Sequence, residues 1–375
     1  MNFGNSIKVS TMNEYLRSKI KVLSFFLVVL VVFVHSYNID LSLNTGNTDT
    51  GLSALQNNRI LSFDSFFQEF LCNGMFRICS PLFFIISGYL FFVNLTGKPD
   101  DFKKKLKKRF NTLIIPYLFW SLWGIAVYFA LQSFPQSRVF FTKELLKDYS
   151  IQKLLYTLFL DPIPYQLWYV RDLAVFAILS PVLYFVFKYI RFWILPFCLF
   201  MWFYDFNFVI FRNQSLLFFA LGALISQRNE KLLKPESSGL AFIFAFLWIV
   251  FVLIKTRLVF LEFQNLLIIS ILHKISILMG ILTINYLYDI LFKNIDVAKT
   301  NAYKIVTFSF FVFTSHEPII TIIKKGLFFV AGNGEIKSII IFLLAPVLTI
   351  PLCISVGYFL KKHVPNFYGV ITGWR

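Results

Sequence analysis

Apolar runs, each about 20 residues long, recur from one end of this sequence to the other. A run of this length is what an α-helix needs to cross the hydrocarbon core of a bilayer. Hydrophobic residues make up 58% of the 375 residues and charged residues only 15%, which leaves too little polar surface to cover a soluble core. The sequence therefore predicts an all-α, polytopic transmembrane bundle.

We predict about ten spans in a single membrane domain that covers residues 1–375. Their approximate bounds are 20–39, 71–93, 112–132, 170–187, 191–209, 213–227, 240–254, 265–288, 305–323 and 339–360. The connections at Lys188–Arg191 and Asp205–Arg212 are very short, so the fourth to seventh spans are the least sharply bounded. The uncharged run Val22–Val34 precedes His-Ser-Tyr-Asn and no small-residue cleavage site, so we interpret it as a span and not as a signal peptide.

The distribution of Lys and Arg predicts the orientation. With the N-terminus inside, 22 of the 36 basic residues fall in cytoplasmic segments and 11 in outer segments, and the segment Lys98–Arg109 contributes most to this bias. We expect both termini to be cytoplasmic. The net charge of +17 is explained by these flanking residues, so we expect membrane lipid and not nucleic acid as a partner.

The four cysteines are isolated from one another in apolar runs. They are Cys72, Cys79, Cys198 and Cys353. The sequence has no CxxC pair, which would have suggested a disulfide framework or a zinc site. We therefore interpret the four cysteines as packing residues and expect no metal.

A small set of polar residues lies inside or at the edge of the predicted spans, where an ionisable group is costly and suggests a functional site. The set comprises His35 in the first span, Arg77 in the second, Trp168, Arg171 and Asp172 in the fourth, and His316 and Glu317 in the ninth. At about 1.5 Å per helical residue, all four spans place these residues in the outer part of the bilayer. This agreement in depth predicts one shared site.

Each of these residues also has a purely structural alternative. His35 could bond a neighbouring backbone group near its helix end. Arg77 could pair with Glu317 or Asp172 to hold helices together, and Arg171 could form an ordinary interfacial ion pair with Asp172.

Two further features are expected to be structural. Lys274, next to His273, is predicted to face outer water or a neighbouring carbonyl group. The segment Lys143–Leu155 has helical spacing and could lie on the membrane surface.

Several ordered motifs resemble those of the acyltransferase family 3 membrane proteins, which O-acylate carbohydrates in bacterial envelopes. The motifs are LVVLVVFVHSYN, RICSPLFFIISGYLFF, KKRFNTLIIPYLFW, LWYVRDL and FTSHEPI. The resemblance extends from about residue 15 to residue 360. It implies a bacterial cytoplasmic (inner) membrane enzyme that uses acyl-CoA, with acetyl-CoA the expected donor, and that binds no permanent cofactor.

The resemblance also implies that His35 is catalytic and that Arg77 is important. Many family members carry an arginine eleven residues before the histidine, but this chain has Ser24 there. The presumed donor is cytoplasmic while the polar residues lie toward the outer face. We favour a donor whose acyl arm reaches in from the basic side over a site that alternates its access.

For the chemistry, we expect His35 to be the general base for a sugar hydroxyl. Arg77 would polarise the acyl carbonyl or hold a phosphate. Glu317 would orient or stabilise a histidine, and His316 would be a second acid/base or an acceptor-binding group.

Four further residues are predicted to bind substrate. Trp168 and Tyr169 offer flat faces for a sugar ring, Arg171 accompanies them, and Ser87 next to Gly88 permits close helix approach or a donor channel. The competing functions are a polysaccharide or acyl-sugar transporter (flippase) and an inactive partner of a polysaccharide synthase. The acyl group, the acceptor glycan and the oligomeric state stay open.

Overall fold

The computed structural model describes residues 14–39, 62–135, 144–206, 208, 210–228, 238–292, 295–300, 302–332 and 334–375. Throughout these ranges the regular secondary structure is helical, which confirms the all-α prediction. The helices share one large apolar core. All four cysteines are free and buried, as packing residues would be.

Fourteen helices occur in the described residues, and we number them in chain order. They are α1 Glu14–Ser36, α2 Phe63–Phe92, α3 Pro99–Ser133, α4 Ile151–Phe159, α5 Tyr165–Ile178, α6 Ser180–Tyr189, α7 Arg191–Phe203, α8 Asn213–Arg228, α9 Ser238–Phe260, α10 Leu266–Phe292, α11 Ala302–Val306, α12 Ser309–Ala331, α13 Glu335–His363 and α14 Pro365–Thr372.

Six of these helices are long and apolar enough to cross a membrane by themselves: α1, α2, α3, α9, α10 and α13. The predicted fourth span is a pair of helices, α5 and α6, which meet at an angle of 70° and would make a seventh crossing if counted together. The bend precedes Pro181, whose ring and missing N–H do not allow α5 to continue straight. The chain is thus a multi-pass membrane protein, while the total of ten spans stays a prediction.

The other predicted spans are shorter or more irregular than the sequence suggests. α7 has 13 residues and would extend only about 20 Å. α8 has 16 residues, and α12 is kinked at Glu317 before Pro318. Before the third predicted span, the basic segment belongs to the same helix, α3, which begins at Pro99.

Two packing features position the functional residues. α1 packs against both α12 and α13, so residues near its C-terminal end meet the middle of α12. α2 packs closely on α8 through two glycines. A Cβ atom at Gly88 would lie 2.1 Å from the carbonyl oxygen of Phe219, and one at Gly222 would lie 2.0 Å from that of Ile85. Small residues permit this backbone contact, as the Ser87–Gly88 pair suggested.

The segment expected on the membrane surface, Lys143–Leu155, contains the first half of α4, preceded by a 3₁₀ turn at Leu146–Asp148. Its first residue, Lys143, lies outside the described residues. Ser150 caps the helix by accepting a hydrogen bond from the backbone N–H of Lys153 at 3.2 Å. Its apolar side chains, among them Ile151 and Leu155, are largely exposed in the isolated chain, as in a helix that lies on a bilayer.

Candidate active site

His35 lies one residue before the end of α1, where helix carbonyl groups lack an intrahelical donor. Nζ of Lys324, on α12, donates hydrogen bonds to the carbonyl oxygens of His35 and Tyr37, the latter at 3.1 Å. A cation here also complements the negative end of the helix dipole. Oγ of Ser36 donates to the carbonyl of Phe342 on α13 at 2.6 Å. Two neighbouring helices therefore fix the backbone that carries His35.

The side chain of His35 contacts the buried side chain of His316. Nδ1 of His316 lies 3.0 Å from the carbonyl oxygen of Val312, which can only accept, so Nδ1 carries the proton. In the neutral imidazole the lone pair is then on Nε2, which lies 3.1 Å from Nδ1 of His35. His35 must donate from Nδ1 and keep its own lone pair on Nε2. No residue in the described part of the chain donates to that nitrogen.

Pro318 shapes α12 around the histidine pair. Because proline has no N–H, the carbonyl group of Thr314, four residues earlier, loses its helical donor. Nε2 of Gln166 donates to that carbonyl at 3.3 Å. The backbone of Glu317 is non-helical, with φ −97° and ψ 133°. The kink thus provides the acceptor that draws the turn at the start of α5 against α12.

Tyr165, in that turn, covers the ring of His35. The two ring centroids are 4.3 Å apart, with an interplanar angle of 31°. The Tyr165 hydroxyl donates to Oε1 of Glu317 at 3.4 Å, and Oγ1 of Thr321 donates to the same oxygen at 3.0 Å. Within the described residues, Glu317 is therefore connected to His35 through Tyr165 and not by a direct hydrogen bond.

Arg77, on α2, belongs to a chain of polar side chains. Its Nε donates to Oδ1 of Asn73 at 3.1 Å, and its Nη2 donates to the same oxygen. Asn73 in turn donates to the carboxylate of Glu69, which pairs with Nζ of Lys255 at 3.0 Å. This chain holds the Arg77 side chain in place and balances the charges of Glu69 and Lys255.

Arg77 also lies within electrostatic range of His35. Nη1 of its guanidinium group has no hydrogen-bond partner among the described residues. The two carboxylates considered as structural partners from the sequence, Glu317 and Asp172, bond elsewhere. The described bonds of Arg77 therefore use Nε and Nη2 of its guanidinium group.

A cavity of about 350 Å³ lies among α1, α2, α3, α5 and α12. This is within the usual size range of small-molecule sites. Its wall is mostly apolar, with the polar or charged side chains Lys21, Ser24, Ser87, Arg109, Tyr169, Thr307, Ser309 and Arg375. Phe313 lines the cavity, and its ring centroid is 6.3 Å from that of His316. The cavity therefore approaches the histidine pair to within one side chain.

Ser87 and Tyr169 meet in the wall of this cavity. The Tyr169 hydroxyl donates to the carbonyl of Phe83 at 3.2 Å, and Oγ of Ser87 lies 2.7 Å from the same hydroxyl. The structure thus places Tyr169 beside Ser87, in the region for which a donor channel was considered. A sugar-binding role for Tyr169 stays a prediction.

Trp168 and Arg171 belong to a different polar cluster. Nε and Nη2 of Arg171 donate to Oδ1 of Asp172 at 3.1 and 2.9 Å. Oδ2 accepts from the backbone N–H of Arg212 at 3.2 Å and from Oγ of Ser215 at 2.7 Å. The Arg212 guanidinium lies 4.2 Å from the Trp168 ring centroid. These contacts join α5 to the start of α8. The substrate-binding roles predicted for Trp168 and Arg171 stay predictions.

Lys274 has the structural role that the sequence suggested. Its Nζ donates to the carbonyl of Phe203 at 2.9 Å and pairs with Asp205 at 2.9 Å. It ties α10 to the end of α7.

Sequence reasoning missed three residues of the site: Tyr165, Lys324 and Arg375. Tyr165 lies in a proline-flanked turn, DPIPYQLW, outside the predicted span. Lys324 and Arg375 were counted only as flanking charges. The signal for Lys324 was its position seven residues beyond Glu317, because residues seven apart lie near one face of a helix.

Comparison with known proteins identifies the family of this chain. A curated relative, the succinoglycan biosynthesis protein ExoH of Rhizobium meliloti (strain 1021), is 28% identical over 177 residues. The match covers 46% of this chain and 43% of that protein, so less than half of either length is compared. No solved structure matches significantly. A family model described as an acyltransferase domain matches residues 18–358, nearly the whole chain. The chain therefore belongs to the acyltransferase family 3 that its motifs resemble.

Proposed function

We propose that this protein is a membrane-embedded O-acyltransferase that moves an acyl group, acetyl in the simplest case, from acyl-CoA to a hydroxyl group of a carbohydrate. The observation that carries the proposal is the hydrogen-bond chain from the Val312 carbonyl through His316 to His35. It leaves the lone pair of His35 on Nε2, which is what a general base needs.

In the proposed reaction, the acceptor oxygen attacks the thioester carbonyl carbon while its proton moves to Nε2 of His35. The new imidazolium keeps its Nδ1–H···Nε2 bond to His316, which stabilises it as it forms. The tetrahedral intermediate then collapses, the carbon–sulfur bond breaks, and the Nε2 proton moves to the departing thiolate. The products are the acylated carbohydrate and CoA.

Arg77 is the proposed stabiliser of the oxyanion in that intermediate. Its guanidinium is held by Asn73 and retains a free Nη1 among the described residues, within electrostatic range of His35. A fixed cation is more effective at a developing charge than a mobile one, since it needs no reorganisation during the reaction.

The cavity is the proposed site of the acyl arm. Its cationic residues come from segments expected to be cytoplasmic, including Lys21, Arg109 and Arg375, and its other end reaches Phe313 beside His316. With both termini on the cytoplasmic side of the bacterial inner membrane, as the sequence predicts, this arrangement supports a donor that reaches in from the cytoplasm. The acyl arm could then extend through the cavity to His35, and the protein would not need to alternate its access between the two sides of the membrane.

A carbohydrate acceptor is supported by the relative, whose name refers to succinoglycan biosynthesis. The acceptor hydroxyl would approach His35 from the side away from the cavity.

The test compares wild type with His35→Ala for transfer of labelled acetyl from acetyl-CoA to envelope glycans in membranes. We expect the variant to be slower by roughly 10²–10⁴-fold, the usual contribution of a general base. His363→Ala is the matched control, since His363 is exposed at the end of α13. Expression and monodispersity must be equal in all three proteins.

Equal transfer by wild type and His35→Ala would show that His35 is structural. Transport of a glycan by the purified wild type in liposomes, with no acylation, would support the transporter instead.

A further inference from the structure

The wall of the cavity carries an unbalanced group of cations. Lys21, Arg109 and Arg375 line it, and no Asp or Glu does so among the described residues. Lys105 is not one of these cations. Its ammonium group donates hydrogen bonds to the carbonyl oxygens of Phe91 and Val93 at the end of α2. The described wall of this cavity thus contains three cationic side chains and no Asp or Glu side chain.

Arg375 reaches this wall because α14 folds back onto α3. Nε1 of Trp120 donates to the carbonyl of Ile371 at 2.9 Å. Gly373 follows with φ +67°, a conformation that glycine adopts readily, and a Cβ atom there would lie 2.6 Å from Cα of Thr112. The close backbone contact at Gly373 fixes the position of the two residues after it.

The guanidinium group of Arg375 has one described hydrogen bond and one aromatic contact. Nη2 donates to the carbonyl of Thr112 at 2.8 Å, and the group stacks 4.0 Å from the Phe310 ring centroid. No carboxylate pairs with it in the described residues. Burial, and then repulsion by Arg109, lowers the pKa of Arg375 to about 10, so it is still a cation at neutral pH. An anion placed here would relieve that repulsion.

The distance from Lys21 to the histidine pair suggests which anion the cavity binds. Lys21 and His35 are 14 positions apart on α1, so their Cα atoms are separated by about 21 Å along the helix axis. This is close to the length of an extended pantetheine arm, so a thioester near His35 would place the phosphate that ends the arm no deeper in the cavity than Lys21. Arg375 lies between these two depths, because it stacks on Phe310, six positions before His316 on α12.

We propose that Arg375, together with Arg109 and Lys21, binds the phosphate group that ends the pantetheine arm of the acyl-CoA donor. The inference rests on the proposed function, since it assigns the donor subsite of the same reaction. A phospholipid headgroup carries the same chemistry and is the alternative source of a phosphate.

The test measures binding and needs no turnover. Dissociation constants of 4′-phosphopantetheine and pantetheine are determined for wild type and Arg375→Gln in nanodiscs of zwitterionic lipid. We expect wild type to bind the phosphorylated ligand roughly tenfold more tightly, as one charge-assisted contact would give. Arg375→Gln should reduce that ratio to about threefold or less, and Arg375→Lys should keep most of it.

Two further variants make the result specific. Arg17→Gln is the matched control, because Arg17 is an exposed arginine at the start of α1 that does not line the cavity. It should leave the ratio unchanged. Ser24 lines the same cavity, so Ser24→Arg in the Arg375→Gln background should restore part of the preference.

An unchanged ratio in Arg375→Gln, or an equal loss in Arg17→Gln, would overturn the proposal. The proposal would also be overturned if Arg375→Gln changed ligand binding only when anionic lipid was added as a competitor. The cations would then bind a lipid headgroup. Failure of the proposed function would look different: the wild type would bind 4′-phosphopantetheine preferentially and yet transfer no acyl group.

Discussion

The histidine pair and the Asp172 cluster look alike in the sequence but differ in how completely their polar atoms are bonded. Both consist of ionisable residues inside predicted spans at similar depth. In the cluster, each carboxylate oxygen of Asp172 accepts two hydrogen bonds, and the residue is fully buried. In the pair, the bonds made by His35 and His316 leave one lone pair, on Nε2 of His35, without a donor among the described residues.

This difference separates a structural polar group from a chemically available one. A buried charge that is saturated with hydrogen bonds stabilises one arrangement of helices and cannot exchange protons without losing those bonds. The same reasoning applies to Lys19, which pairs with Asp289 at 2.6 Å and also donates to the carbonyl of Asn285. Structural and chemically available polar residues therefore share the same predicted depth in the membrane. They differ in how many of their polar atoms are hydrogen-bonded.

The largest effect on stability is expected from Asp172→Asn. The change leaves Arg171 without its carboxylate and weakens the bond to Ser215, and breaking a buried ion pair typically costs about 3–5 kcal/mol. Thermal unfolding of the solubilised protein measures this loss, with the exposed Asp148→Asn as control. Acyl transfer per folded molecule should stay close to wild type. A stable protein that has lost its activity would contradict the comparison, because Asp172 would then belong to the chemistry.

A smaller effect, on rate, is expected at His316. His316→Ala removes the acceptor for Nδ1–H of His35, and we expect acyl transfer to slow by roughly 10–100-fold, the range seen when a partner that orients a histidine is lost. His316→Gln offers an amide oxygen as acceptor and should recover part of the rate. Equal rates for the two variants would mean that His316 only fills space.

The smallest effect is expected at Tyr165, which orients His35 through ring contact. Tyr165→Phe keeps the contact and loses the hydroxyl bond to Glu317, so its rate should fall by no more than about threefold. Tyr165→Leu loses the ring and should be slower by up to about tenfold, since an aromatic contact contributes about 0.5–1.5 kcal/mol. Initial rates at saturating donor measure both. A stronger loss in Tyr165→Phe would make the link to Glu317 the important one.

Much of the fold could be predicted because lipid permits few structures. Long apolar runs had to be helices, and charged residues inside them had to be exceptional. The bend between α5 and α6 was missed although Pro181 indicated it, because hydropathy averages over a window and does not register one residue.

The sequence predicts the depth at which the site residues lie in the bilayer. It does not predict which helices are neighbours at that depth. Nothing in the sequence indicates that α1 contacts α12, so the bond between His35 and His316 could not be derived from it. Residues outside the spans were harder still. Tyr165 reaches the site through a turn, and Arg375 through the fold-back of α14, and tertiary contacts of this kind leave no periodic pattern.

A double-mutant cycle on the rate of acyl transfer tests whether His35 and His316 act as one unit. The four proteins are wild type, His35→Ala, His316→Ala and the double variant, at matched amounts of folded protein. If His316 acts only through His35, the double variant should be as slow as His35→Ala and no slower. If the double variant instead loses a further factor of roughly 10–100, equal to the loss in His316→Ala alone, the two histidines act independently and not as a unit.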